Sequence, residues 1–218
     1  MKRTPLILLA LVALGLFTLT GSGQNQTPTE DGSDDGIIQN AARPTLAPPY
    51  VEQMLVRQNA IIARGYTDLG SIRGDDGSTV HVLAIQLSDV ATKEMVGGLL
   101  VQVRSTRGRT AETYVDANDI DKLLQATDEI RKLDRTVTPL NSFDGHYRTV
   151  AGLEVNNIER EGARVGEIRT VQLRPSTGDI VWARSLMRAS RLEEFKRLLS
   201  AGRDKIAQFK KDPTTNPD

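Results

Sequence analysis

Asp144, His146 and Arg148 stand one residue apart in Phe143-Asp144-Gly145-His146-Tyr147-Arg148, and their types could do chemistry. Alternate residues of an extended strand share a face, so a carboxylate, an imidazole and a guanidinium would form a row. Such a row is the raw material of general acid-base work. It would also need a nucleophile and an oriented substrate, and the sequence offers neither, so an exposed cross-strand charge ladder is the preferred reading. Arg104 and Arg174 close two matching tetrapeptides, Val101-Gln102-Val103-Arg104 and Val171-Gln172-Leu173-Arg174, which lie 70 positions apart. These five residues are the candidate binding residues, and no residue is assigned to catalysis or to a metal.

The second histidine, His81, alternates with Leu83, Ile85 and Leu87 and reads as a sheet-face residue with a local partner. A metal centre would need more ligands beside it. The chain has no cysteine, which removes disulfides, thiolate nucleophiles and cysteine-ligated metals. Gly-x-Ser-x-Gly elbows, phosphate loops and Gly-x-Gly-x-x-Gly turns are absent from the sequence. Asp31, Ser33, Asp35 and Gly36 open like a calcium loop, but its twelfth position is Ala42 where a bidentate glutamate is needed. No cofactor is expected. Gly97-Gly98 inside a strand marks a bulge or a close backbone approach. Arg73-Gly74-Asp75 spells an integrin-type tripeptide at the start of a hairpin turn that needs Gly and Asp for its own geometry.

Two successive copies of one plan must position these side chains. In the first, residues near Tyr66 to Arg73, Thr79 to Ser88, Met95 to Arg104 and Thr110 to Val115 read as strands. Asp75-Asp76-Gly77-Ser78 and Thr106-Arg107-Gly108-Arg109 supply turns. A helix from about Asp119 to Leu133 places Ile120, Leu123, Leu124, Thr127 and Ile130 on one face, with Asn118 as its cap. The second copy has strands near Phe143 to Val150, Leu153 to Glu159, Arg164 to Leu173 and Asp179 to Arg184. Glu161-Gly162 and Ser176-Thr177-Gly178 turn its chain. Its helix opens at Ser190, which with Glu193 spells a capping box, and buries Leu192, Phe195, Leu199, Ile206 and Phe209. Residues 50 to 60 fit a short helix through Val51, Met54, Leu55 and Gln58, while Asn59 to Ala63 could be strand.

The expected fold is therefore α+β: two tandem ββββα units with an approximate two-fold, antiparallel sheets, each covered by its own helix or its partner's. The units span residues 50–138 and 139–211, and 212–218 is expected to be a disordered tail. Residues 1–23 read as a secretory signal, with Lys2 and Arg3 before an apolar run from Leu6 to Phe17 and small residues after it. That run is shorter than the roughly 20 residues of a membrane-spanning helix, so cleavage is expected to leave no stable membrane anchor. Ser22 stands where a lipoprotein signal requires cysteine, which excludes lipidation. Residues 24–49, rich in Gly, Ser, Asp, Gln, Thr and Pro, read as a disordered linker with Ile37-Ile38 as its only adjacent large apolar pair. The expected location is exported, periplasmic or secreted.

Without Lys2 and Arg3 the chain carries 26 basic and 28 acidic side chains, a net charge of −2, so no global field draws it to nucleic acid. Asp116 to Asp134 holds six acids and three bases, and Arg184 to Lys211 holds nine bases and three acids. These read as faces of two helices that attract one another, with a basic docking surface as the alternative.

The segments Tyr114-Val115-Asp116-Ala117-Asn118-Asp119-Ile120-Asp121-Lys122-Leu123-Leu124 and Phe143-Asp144-Gly145-His146-Tyr147-Arg148-Thr149 resemble those of uncharacterised exported bacterial proteins with a similar duplicated unit. That resemblance implies no activity. The order of elements is similar in topology to Whirly and PUR-type folds, which implies single-stranded nucleic-acid binding. Few aromatic side chains are available for base stacking, so nucleic acid is not the expected partner. The function expected is an exported non-catalytic binding or structural module, whose partner is an unknown protein or envelope component met through a sheet face, an edge or the basic second helix. The alternatives are a single-stranded nucleic-acid binder and a hydrolase with no assigned residue.

Overall fold

The computed structural model describes residues 37–38, 48–160, 162–173 and 180–211. The leader, most of the linker, the calcium-like loop, Arg174, the Ser176-Thr177-Gly178 turn and the tail lie outside the described residues. In chain order the elements are β1 (Ile37–Ile38), α1 (Tyr50–Leu55), β2 (Ile62–Arg73), β3 (Thr79–Asp89), β4 (Met95–Arg104), β5 (Thr110–Asp116), α2 (Ile120–Lys132), β6 (Phe143–Arg148), β7 (Leu153–Arg160), β8 (Ala163–Leu173), β9 (Ile180–Arg188) and α3 (Leu192–Lys211). The expected tandem ββββα order is present, in two antiparallel sheets ordered β2-β3-β4-β5 and β1-β9-β8-β7-β6.

Alternation along the strands decides which residues meet. Val80, Val82 and Ala84 of β3, Leu99, Val101 and Val103 of β4, and Ala111 and Val115 of β5 point into one core. Leu153 and Val155 of β7, Ile168 of β8 and Val181, Ala183 and Met187 of β9 enter the same core from the second sheet. The apolar stripes of the two helices complete the same core. Ile120, Leu123, Leu124, Thr127 and Ile130 of α2 are all buried, as are Leu192, Phe195, Leu199 and Ile206 of α3.

The helices are exchanged. α3 lies across β2, β3 and β4 of the first unit, α2 lies on β6 and β7 of the second, and the two helices pack on each other. Each sheet is thus covered by its partner's helix. The charged segments explain part of this pairing: Lys196 Nζ is 2.6 Å from Asp128, Arg203 is 3.3 Å from Asp121 and Arg131 is 3.1 Å from Glu193. The exchange extends to helix ends, where Asn157 of β7 donates to the carbonyls of Ile130 (2.9 Å) and Leu133 (3.3 Å) at the end of α2. Arg164 of β8 donates to the Leu133 carbonyl as well.

Further bonds cross between the units. Thr170 Oγ1 donates to the Ala111 carbonyl at 3.1 Å, and Thr113 Oγ1 to that of Ala151 at 2.8 Å. The β2–β3 turn, with Gly77 at φ +85°, lies along β9: Asp75 N donates to Leu186 O, and Arg188 N to Asp75 Oδ2, both at 2.8 Å. The Arg73-Gly74-Asp75 tripeptide is absorbed in this packing. Across the first sheet's other face, α1 buries Val51 and Met54 against Ile85, Leu87, Leu100 and Tyr114.

Several expectations need correction. Within the expected linker, Ile37–Ile38 pairs with Val181 and Ile180, because two β-branched residues can complete the β9 edge. β2 begins at Ile62, four residues before Tyr66, since its pairing with β3 runs out to Asp89. Asn118 caps nothing: a 3₁₀ turn, Ala117–Asp119, leads from β5 into α2 with no side-chain cap. Ser190 and Glu193 form no capping box, because Ser190 falls in the corresponding 3₁₀ turn, Ala189–Arg191, and Glu193 faces Arg131. At Gly97-Gly98 the β3–β4 register is unbroken, so close approach, not a bulge, is the reason for glycine.

Candidate functional site

The register of the second sheet builds a polar face on the side away from the helices. β6 presents Asp144, His146 and Arg148, all exposed. Opposite them stand Ile158, Asn156 and Glu154 of β7. Next come Val165, Glu167 and Arg169 of β8, and then Arg188, Leu186 and Arg184 of β9. Trp182 pairs with Val171 on the same face. Antiparallel pairing of consecutive hairpins thus brings together residues up to 44 positions apart, from Asp144 to Arg188.

Charges on this face are ordered into a chain. Arg148 Nε lies 3.2 Å from Glu154 Oε1, Arg169 Nη1 lies 3.7 Å from Glu154 Oε2, and Arg169 Nη2 lies 3.0 Å from Glu167 Oε1. Asn156 Nδ2 donates to Glu167 Oε2 at 3.4 Å. Glu167 is buried, so its pairing with Arg169 and Asn156 offsets the cost of removing a carboxylate from water. The Arg169 guanidinium also stacks over Trp182, 5.3 Å from the ring centroid, and the buried indole N–H has no acceptor among the described residues.

Asp144, His146 and Arg148 are therefore brought together as the sequence indicated, on the β6 edge strand. Arg104 is not among them. It ends β4 in the other sheet, exposed, opposite Thr79 and Thr110. Arg174, its expected counterpart, lies outside the described residues. His81 Nε2 sits 2.8 Å from Asp68 Oδ1 on the neighbouring strand, and this contact, followed by the Gly70 N–H, lowers the Asp68 pKa. Among the described residues, no cluster of three or more His, Asp and Glu side chains could hold a metal ion. No described helix is long and apolar enough to cross a membrane.

A second polar feature gives no signal in the sequence. Arg131 from the last turn of α2, Arg164 from β8 and Arg188 from β9 line one open cavity of about 320 Å³, together with Ala189 and Ser190. Among the described residues that line it none is acidic. The three arginines are separated by 33 and 24 positions, so the β8–β9 register and the helix exchange together bring them to one place. Another cavity, of about 240 Å³, lies between Tyr50, Gly97 and Asp116 where α1 meets the first sheet. No family model matches the chain. No curated protein matches it either.

Proposed function

We propose that the protein is an exported, non-catalytic binding module that recognises an acidic protein or envelope component through the outer face of its second sheet. One observation carries this reading: the β6–β9 register gathers His146, Arg148, Arg169, Arg184 and Arg188 on the face opposite the helices. Glu154 and Glu167 hold Arg148 and Arg169 in place, and with Asp144 these three acids leave the four arginines in excess. Side chains already fixed by neighbours lose little entropy on meeting a partner. Export rests on the leader and is tested by sequencing the amino terminus of the protein recovered outside the cytoplasm, with a start near Gly23 or Gln24 expected.

The face carries its own reporter, since Trp182 is the only tryptophan of the chain. Titration of the full chain with poly-L-glutamate and with phosphatidylglycerol vesicles should shift Trp182 emission and lose amplitude as salt rises. Arg148→Ala and Arg169→Ala should weaken the shift. An unchanged emission with both probes at low salt would overturn the reading, as would turnover of a substrate that is lost in His146→Ala. Single-stranded nucleic acid is the second reading, favoured by the Arg169–Trp182 stack at which a base could lie. A salt-sensitive shift with oligo(dT) but not with poly-L-glutamate would select it.

A further inference from the structure

We infer that the cavity between Arg131, Arg164 and Arg188 is a binding site for a multiply charged oxyanion of the phosphate type. The inference goes beyond the outer-face reading and shares with it only Arg188, the last residue of β9. Arg131, Arg164 and Arg188, from three elements, line a cavity of about 320 Å³, a volume that admits a phosphate group and a small substituent. Gathering like charges is unfavourable unless something between them is negative, and among the described residues that line the space none is a carboxylate.

Existing partners hold the arginines without exhausting them. Arg131 reaches Asp128 through Nη2 at 3.0 Å and Glu193 through Nε at 3.1 Å, but the latter pair is buried without hydrogen-bond geometry at either atom. Arg164 caps the end of α2 through Nη2, on the carbonyls of Leu133 and Arg131, and its Nε is 3.7 Å from Glu159. Arg188 is 79% exposed, and its Nε lies 3.8 Å from Asp75, beyond hydrogen-bond reach. Arg131 and Arg164 are thus each held by several partners, whereas the Arg188 side chain has, among the described residues, only its long contact to Asp75. A planar guanidinium offers paired N–H donors matched to two oxygens of a phosphate. Ser190 adds a hydroxyl at the rim. Three cations favour a dianion over a singly charged carboxylate.

The test is a titration of the full chain with inorganic phosphate, read on the backbone amides of Ala189 and Ser190 by heteronuclear NMR, with glycerol phosphate and acetate in parallel. Saturable shifts centred on Ala189, Ser190 and Arg164 are expected, about tenfold weaker in Arg188→Gln. Equal affinity for inorganic phosphate and glycerol phosphate would mark the phosphate group itself as the ligand. Tighter binding of glycerol phosphate would point to a lipid headgroup or sugar phosphate. Shifts scattered over the surface, acetate binding as tight as phosphate, or an unaltered affinity in Arg188→Gln would overturn the inference. Should that variant unfold, the wild-type amide map and the acetate comparison decide. Failure of the outer-face reading shows at Trp182 and leaves these amide shifts untouched.

Discussion

Both carboxylate oxygens of Asp116 are taken by the first turn of α1: Oδ2 accepts from Tyr50 N at 2.7 Å and Oδ1 from Val51 N at 3.0 Å. A six-residue helix does not persist unaided, because its nucleation is unfavourable. Asp116 is thus the anchor that turns residues 50–55 into a cover for Leu100 and Tyr114. Asp116→Ala should destabilise the protein by about 1–2 kcal/mol, while Asp116→Asn, which keeps one acceptor, should cost less. Urea unfolding measures the difference, and hydrogen exchange should place the extra opening in α1. Equal stability of Asp116→Ala and wild type would show that apolar contacts alone hold the helix.

Exchange of α2 and α3 has a direct consequence for folding. Neither unit keeps its own cover: without α3, the faces of β3 and β4 would expose Val80, Val82, Leu99 and Val101, and without β7, Asn157 would be lost from the end of α2. Residues 50–138 and 139–211 expressed separately should each lack a cooperative unfolding transition. Mixing them should restore helical circular dichroism and dispersed NMR spectra. A half that unfolds cooperatively on its own would contradict the exchanged arrangement.

Acid should loosen the contact between the helices. Asp128 meets Lys132, Lys196 and Arg131, and these bonds, that to Lys132 first, hold its pKa far below the usual carboxylate range. Its stabilising contribution is full above the unfolded value of about 4 and is lost as pH falls through the folded one. Between pH 5 and pH 2, wild type should therefore lose more stability than Asp128→Asn, which has no proton to take up at this position. Parallel curves for the two proteins, measured by urea unfolding, would remove Asp128 from the acid response.

Glu52 on α1 has the opposite sign. Burial, and then the neighbouring charge of Glu112, raise its pKa. The folded chain therefore holds that proton more tightly than the unfolded one, and stability falls as pH rises through the window above the unfolded value of about 4.3. Glu52→Gln should raise the unfolding midpoint at pH 7 and have little effect at pH 4. A destabilised variant at pH 7 would mean that the carboxylate has an attractive partner that outweighs its burial.

Periodicity made the buried sides of both helices legible residue by residue, because a stripe at spacings of three and four is a local property of the chain. It could not say which sheet each stripe would meet. That choice depends on residues such as Asn157 and Arg164, whose bonds reach back to Ile130 and Leu133. Cap assignment failed for a related reason. Asn118 and Ser190 are good capping residues, yet each sits inside a 3₁₀ turn whose backbone satisfies itself, 72 positions apart in equivalent places. On the candidate face, alternation aligned Asp144, His146 and Arg148, whereas Arg169 and Trp182 joined them through a register that no local pattern encodes. Arg131, Arg164 and Arg188 needed both the register and the exchange.

Gly98 tests how tightly α1, β4 and β5 are fitted. A Cβ added there would lie 2.6 Å from the Val115 carbonyl oxygen and 2.7 Å from Val51 Cγ2. The carbonyl belongs to the β4–β5 ladder and cannot withdraw without disturbing the pairing of Leu99 with Val115. At Gly97 the close neighbour is the Ile206 side chain, 2.8 Å from the added carbon, which α3 can adjust at lower cost. Gly98→Ala should thus destabilise by about 1–3 kcal/mol, and Gly97→Ala by less. Because the Gly98 methyl would also push Val51 away, the double variant Gly98→Ala, Asp116→Ala should lose less than the sum of the single losses. Strict additivity in urea unfolding would mean that the ladder distortion alone accounts for Gly98, and that α1 stays seated on the sheet.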